Sequence, residues 1–303
     1  MKKELVSIVV VSYNSSRTII QTLESFRRQT YNTLELIISD DCSKDDTVAI
    51  CREWLRNNEG RFERSLIIEA THNTGVCGNL NRGINASTGT WIKALAADDE
   101  LCDDAIEEYM KFCANNDSCR ICVSDAYFIN DRGEKVANES DNSIWRTFLE
   151  RMGRNLLEQQ KRVQRDKLCP GPPIFFSREA WNAFGGYKEK YKFADEWELQ
   201  YSVVMNGFMI YPILKKLIYY RVSESSLCHS LTDNRSNISQ LAFARDIVIP
   251  KLCKEWKFLE AWDVYLRRQV PYLIVKNSNR NYKYMLLLSP KYVWSRLITK
   301  KSK

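Results

Sequence analysis

Residues 95–101 read LAADDEL, which sets two carboxylates, Asp98 and Asp99, side by side after an apolar run. Adjacent carboxylates repel, and burying one without a partner is costly. Two roles suit such a pair. It can cap a following helix, because acidic side chains favour a helix N-terminus. It can also hold Mg²⁺ or Mn²⁺, hard cations that take oxygen ligands and commonly bridge carboxylates to phosphates. A cation there would screen the repulsion and act as a Lewis acid on a departing phosphate oxygen. A second acidic pair, Asp195-Glu196, suits another chemistry. A carboxylate can take the proton of an attacking hydroxyl as the new bond forms. An acidic first helical turn explains the same two residues.

The elements around these pairs decide what they face. Val6 to Val11 is a β-branched run suited to a strand buried on both faces. Ser15 and Ser16 offer N-caps for a helix over 17–29. Residues 35–39 read as a second strand, and Ser43 and Asp46 have capping-box spacing for a helix through Leu55. Strands over 66–69 and 91–96 flank a helix over 79–86. Further along, a helix over 103–115, a strand over 121–130 and a charged helical stretch over 145–164 are expected. A proline-stiffened loop over 167–173, a strand over 174–177, a helix from Arg178 and another over 195–205 come next. Two short strands, near 209–211 and 217–221, precede a helical remainder broken at Pro250, Pro271 and Pro290. Such alternation predicts a mainly parallel sheet covered on both faces, with ligands beyond the carboxyl ends of its strands. The loops after the first four strands carry Tyr13, Asp40, His72 and Asp98, which should open onto one edge.

The chain has 303 residues, 44% hydrophobic and 27% charged, enough for one large α/β domain or a domain with an appendage. Its ten cysteines are irregularly spaced and read as reduced core residues. Cys119 and Cys122 form a lone CxxC without the second pair or adjacent histidines that zinc needs, since the histidines are His72 and His229. MKKELVSIVVV imitates a leader, but its apolar core is short and no cleavage site follows. No run approaches the roughly 18 apolar residues of a membrane span. The expected location is therefore the cytoplasm, with peripheral contact on the inner membrane face as an added expectation. A nucleotidyltransferase or dinucleotide enzyme would need a glycine-rich loop after the first strand, and SYNSS at 12–16 is not one.

Five stretches, in order, carry a resemblance: SIVVVSYN at 7–14, IISDDCSKDDT at 37–47, HNTG at 72–75, LAADD at 95–99, and GGY at 185–187 followed by DEWEL at 195–199. YRVSESS at 220–226 adds a further segment. Over about residues 5–230 the chain resembles a family 2 glycosyltransferase of the GT-A fold, an inverting enzyme of the bacterial surface-polysaccharide type. The resemblance implies a GT-A domain over 1–235, with a nucleotide-binding half (1–100) and an acceptor half (101–235). Residues 236–303 are then a helical, basic and aromatic extension. It implies a UDP-sugar donor, with Asp40 accepting from the uracil ring, Tyr13 flanking the base, and His72, Asn79 and Arg82 near base or phosphates. Asp98 would meet a ribose hydroxyl or the metal, and Asp99 the metal, Mn²⁺ or Mg²⁺. Glu196 would be the base, with Asp195 as the alternative because the family's usual Glu-Asp order is reversed here. The first aspartate of the family's Asp-x-Asp-Asp pattern is Ala96.

The implied reaction moves a sugar from a nucleotide diphosphate to a hydroxyl of a glycan or lipid-linked acceptor in polysaccharide, O-antigen or capsule biosynthesis. The alternative is a non-catalytic nucleotide-sugar-binding relative or scaffold. PGPP at 170–173 lies where the family builds part of the acceptor pocket, and Trp181 and Trp197 would suit either sugar stacking or the core. The tail from Trp256 mixes aromatics with Lys and Arg, as an interfacial helix on anionic lipid would, or as a helical subdomain with a solvated basic face would. Nucleic acid is not an expected partner, because no recognition motif accompanies the basic residues.

Overall fold

The computed structural model describes residues 4–136, 144–191, 195–222 and 235–277, with Met285 and Leu288. The first half alternates β1 (Val6–Ser12), α1 (Ile19–Arg27), β2 (Leu34–Asp40), α2 (Thr47–Asn57), β3 (Arg64–Glu69), α3 (Gly75–Ala86) and β4 (Trp91–Ala96). The short β5 (Glu100–Leu101), α4 (Ala105–Ala114) and β6 (Ile121–Ile129) follow. Then come α5 (Ile144–Arg151), α6 (Leu156–Val163), β7 (Ile174–Ser177), α7 (Arg178–Phe184), α8 (Asp195–Met205) and β8 (Ile210–Arg221). The described C-terminal part is α9 (Arg235–Phe243), α10 (Ile249–Lys254) and α11 (Phe258–Asn277).

All eight strands form one sheet in the order β3-β2-β1-β4-β7-β6-β8-β5. The four strands of the first half are parallel, as the alternating pattern requires. Beyond them the sheet is mixed rather than parallel, because β7 enters between β4 and β6 antiparallel to both. Side chains alternate across the sheet, so each face carries its own core. Ile8, Val10, Leu36 and Ile38 pack under α1 and α4, and Val9, Ile37, Ile92 and Val123 pack on the other face. Phe243 on α9 sits edge-on to Tyr191, Trp197 and Tyr201, so the described C-terminal helices share this second core.

Several local expectations shift. The helix expected over 145–164 is two helices, broken where Gly153 adopts φ 108° and Asn155 caps α6 by accepting from Glu158 N at 3.0 Å. The two strands expected near 209–211 and 217–221 are one, β8, which absorbs the polar Lys215-Lys216 step by register shifts opposite Ser124–Ala126. α3 begins at Gly75, four residues before the expected start. Ser15 does not cap by its side chain; its carbonyl accepts from Thr18 and Ile19 instead. Asp45, not the Ser43/Asp46 box, caps α2, taking Thr47 N at 3.1 Å and Thr47 Oγ1 at 2.5 Å. Pro250 opens α10 and Pro271 lies inside α11, so neither breaks the chain as expected, and Pro290 lies outside the described residues.

Trp181 and Trp197 are both core residues, their indole N–H groups donating to Asn85 Oδ1 and Val163 O. The CxxC cysteines acquire a neighbour that spacing did not suggest. Cys113 Sγ lies 3.5 Å from Cys119 Sγ and 3.9 Å from Cys122 Sγ. Among the described residues no fourth Cys, His, Asp or Glu joins the three.

Candidate active site

The carboxyl ends of β1, β2 and β4 meet, and their loops are sewn together by short polar side chains. Asp40 ends β2 fully buried. Its Oδ1 accepts from Ser12 Oγ at 2.8 Å and Ser43 Oγ at 2.5 Å, and its Oδ2 accepts from Ser43 N at 2.8 Å. A carboxylate offers about four acceptor positions, so Oδ2 retains one. The β1 loop is pinned to the β2 loop through Asn14, whose N donates to Ser43 Oγ and whose Oδ1 accepts from Lys44 N, both at 2.8 Å. Asn14 takes φ 51°, a left-handed turn that leaves the preceding Tyr13 half-exposed at the edge. Asp45 closes the same loop pair. Burial pushes its carboxyl up, but hydrogen bonds from Thr47 and Ser16 outweigh this and hold it at about 2.

Asp41, which the sequence did not single out, anchors the third loop. Both its oxygens accept from Thr74 N, and Oδ2 also takes Gly75 N at 2.7 Å, at the start of α3. Arg82 donates to Asp41, to Thr74 Oγ1 at 2.7 Å and to Asn79 Oδ1 at 2.9 Å. Asn79 in turn donates to Ser12 O at 3.2 Å. Asn79 and Arg82 therefore stand beneath the loops as braces. His72 is exposed on the third loop, its Nδ1 3.2 Å from Thr71 Oγ1.

The Asp98-Asp99 pair sits where β4 ends, its loop tied to β1 through Ala97 N to Val11 O and to α1 through Thr18 Oγ1 to Ala97 O. The two carboxylates differ. Asp98 is half-buried at the edge. Asp99 points inward at 1% exposure, with Oδ1 accepting from Arg221 N at 2.9 Å. Burial pushes both carboxyls up, Asp99 the further, and the charge of Asp98 adds to the rise at Asp99. Among the described residues neither carboxylate forms an ion pair. The Arg221 and Lys93 charges lie near enough to offset part of that rise, yet neither is ion-paired to a carboxylate of the pair among the described residues. An all-oxygen pair under strong desolvation and mutual repulsion fits a hard divalent cation.

Arg221, 122 positions downstream, holds this loop from beneath. It donates from Nε to Asp98 O at 2.8 Å, from Nη1 to Asn130 O at 2.7 Å, and from Nη2 to Gln21 Oε1 and Glu100 Oε1. It belongs to the YRVSESS segment, whose other members from Ser223 on lie outside the described residues. Lys93, in the middle of β4, is wholly buried and donates to the carbonyls of Pro172 and Ile174. Burial lowers its ammonium to about 7, against the pull of Asp99. One lysine thus ties β4, the strand that runs into the Asp98-Asp99 loop, to the proline loop.

Across the edge, Glu196 begins α8. Its Oε1 accepts from Gly171 N at 2.8 Å, and its Oε2 accepts from Lys167 Nζ. A Cβ on Gly171 would lie 2.7 Å from Glu196 Cγ, so only glycine lets this loop reach the carboxylate. One helical turn on, Gln200 takes Leu168 N and Cys169 N and returns a bond to Cys169 O. The LCPGPP loop is thereby fixed to one face of α8. The Asp195 side chain lies outside the described residues, so the geometry speaks for Glu196 only.

Comparison with known proteins identifies the family. Over 211 residues the chain is 26% identical to a PGL/p-HBAD biosynthesis glycosyltransferase of Mycobacterium bovis, covering 69% of this chain and 73% of that one. It is 35% identical over 109 residues to the Escherichia coli UDP-Glc:alpha-D-GlcNAc-diphosphoundecaprenol beta-1,3-glucosyltransferase WfaP, covering 36% and 41%. The mannosyltransferase PcManGT of Pyrobaculum calidifontis, solved with GDP-Man and Mn²⁺, superposes with a TM-score of 0.62 at 16% identity, over 98% of this chain and 87% of that one. Residues 7–184, more than half of the chain and all of the loop edge except α8 and Arg221, match the family described as glycosyl transferase family 2. The chain belongs to that family and is a glycosyltransferase.

Proposed function

We propose that this glycosyltransferase moves a sugar from a UDP-linked donor to a hydroxyl of a glycan or lipid-linked acceptor, with inversion, during polysaccharide assembly. The observation that carries the reading is the Asp98-Asp99 pair, desolvated, mutually repelling and without an ion-pair partner among the described residues, on the same edge as Asp40 and Tyr13. Asp98 would hold the metal, since it is the carboxylate at the surface. Asp99 would support it from inside, fixed by Arg221. When bound, Mn²⁺ or Mg²⁺ would neutralise the diphosphate leaving group. The remaining acceptor position of Asp40 would take the uracil N–H, while Tyr13 flanks the base. His72 stands exposed on the adjoining loop for the base or phosphates.

Glu196 is the proposed base. A single in-line displacement inverts the anomeric carbon and needs the acceptor hydroxyl proton removed on the side opposite the leaving group. Glu196 is held by Lys167 and Gly171, and release of the Lys167 contact would free one oxygen for that proton. WfaP and PcManGT, by their names, use different nucleotides, so binding decides the donor. Calorimetry with UDP, GDP, CMP and dTDP, each with Mn²⁺ or EDTA, tests the reading. Metal-dependent binding of UDP alone supports it. Metal-independent binding, or preference for another nucleotide, removes it. The anomeric configuration of the product, read by NMR, tests inversion.

A further inference from the structure

Net positive charge is confined to one end of the chain. Residues 251–303 hold thirteen Lys and Arg against three Asp and Glu, and the preceding 250 residues hold thirty-two against thirty-five. The same end carries the largest exposed aromatics. Trp256 is 83% exposed and Phe258 and Leu259 are each 56% exposed, with Trp262 and Tyr265 following on the same side of α11. Phe258, Trp262 and Tyr265 are spaced four and three apart and so share a helix face. The opposite face, Ala261, Val264 and Val270, is buried against the core. Trp262 also donates its indole N–H to Leu288 O at 3.1 Å, which places an exposed leucine of the basic tail beside the patch.

A contiguous apolar patch facing water marks an interaction surface. Tryptophan and tyrosine at the rim of a basic segment suit one occupant, the interface of an anionic bilayer, where rings sit at headgroup level and Lys and Arg meet lipid phosphates. We propose that Trp256, Phe258, Leu259, Trp262, Tyr265 and Leu288, with the neighbouring Lys251, Lys254 and Lys257, dock the protein on an anionic membrane surface. No helix among the described residues is long and apolar enough to cross a membrane, so the contact is peripheral. One turn beyond the patch, Arg268 stacks over Trp197 at 4.2 Å and pairs with Asp166 at 2.6 Å, next to the Lys167 that holds Glu196. Docking would therefore bring the acceptor side of the site towards the headgroups.

Co-sedimentation of the full chain with vesicles tests this without nucleotide or acceptor, so its failure is separable from failure of the donor reading. Phosphatidylcholine vesicles are compared with vesicles containing phosphatidylglycerol. Two engaged basic residues give about thirtyfold preference for the anionic vesicles, weakened by salt. Trp256→Ser with Phe258→Ser should lower partitioning at least about tenfold. A second variant, Lys251→Gln with Lys254→Gln, should reduce only the anionic preference and stands if the first variant misfolds. Absence of sedimentation with anionic vesicles, or variants that partition like the parent, overturns the proposal. So does a dimer in ultracentrifugation that the Trp256 variant dissolves while vesicles bind nothing.

Discussion

The two sides of the site are built differently. The proposed nucleotide side is a set of neighbouring loops tied by Ser, Thr, Asn and Asp a few tens of residues apart, on parallel strands that deliver them to one edge. The proposed acceptor side also draws on distant pieces. Glu196 holds Gly171 from only 25 positions away, but Lys93 holds Pro172 across 79 and Arg268 reaches Asp166 across 102. Arg221 clamps the Asp98 loop from beneath, through Asp98 O, Asn130 O and Glu100. The difference teaches that charge placement for a leaving group can be built from local loop chemistry, whereas positioning of a base requires a packed scaffold to aim it.

Substitutions on either side should separate these roles. Asp98→Asn should cost several kcal/mol of transition-state stabilisation, roughly a thousandfold in rate, and abolish metal-dependent nucleotide binding by calorimetry. Unchanged affinity with Mn²⁺ would move the metal role elsewhere. Glu196→Gln should lower transfer about a hundredfold or more while the donor Kd stays within about twofold. A near-normal rate would shift the base to Asp195.

Arg221→Met should destabilise the chain by about 3–5 kcal/mol in urea unfolding, because buried carbonyls and the Glu100 carboxylate lose their donor. If nucleotide binding and stability both survive, Arg221 is not what holds the Asp98 loop in place. Glu198 offers a pH test on the acceptor side. Burial pushes its carboxyl up to about 7 from 4.5, against hydrogen bonds from Lys188. A folded value above the unfolded one gives stability that is complete below pH 4.5 and falls as pH rises through 7. Glu198→Gln should flatten that slope, worth on the order of 3 kcal/mol, and parallel stability–pH curves would refute it. The smallest effect is expected from Gly171→Ala. The added methyl should cost about 1–3 kcal/mol and slow transfer, and leave nucleotide binding intact. Loss of nucleotide affinity in that variant would show the two sides to be one unit.

Sequence alone determined the parallel alternation of β1 to β4 and the convergence of Tyr13, Asp40, His72 and Asp98 on one edge, because hydrophobic runs and strand direction are local properties. It also marked Asp98-Asp99 and Glu196 by their type and order. Tertiary structure decided what each carboxylate faces. Nothing in LAADDEL tells that Asp98 is at the surface and Asp99 inside, since that depends on Arg221 arriving 122 positions later. Nothing in IISDD distinguishes Asp41 as the anchor of the third loop, a role that Thr74 and Gly75 give it from more than thirty positions away. The broken helix at Gly153 and the single bulged β8 were equally hidden, because a left-handed residue and a register shift interrupt the periodicity from which elements are read. Burial and long-range hydrogen bonds are properties of pairs of distant residues, and only the folded chain brings those pairs together.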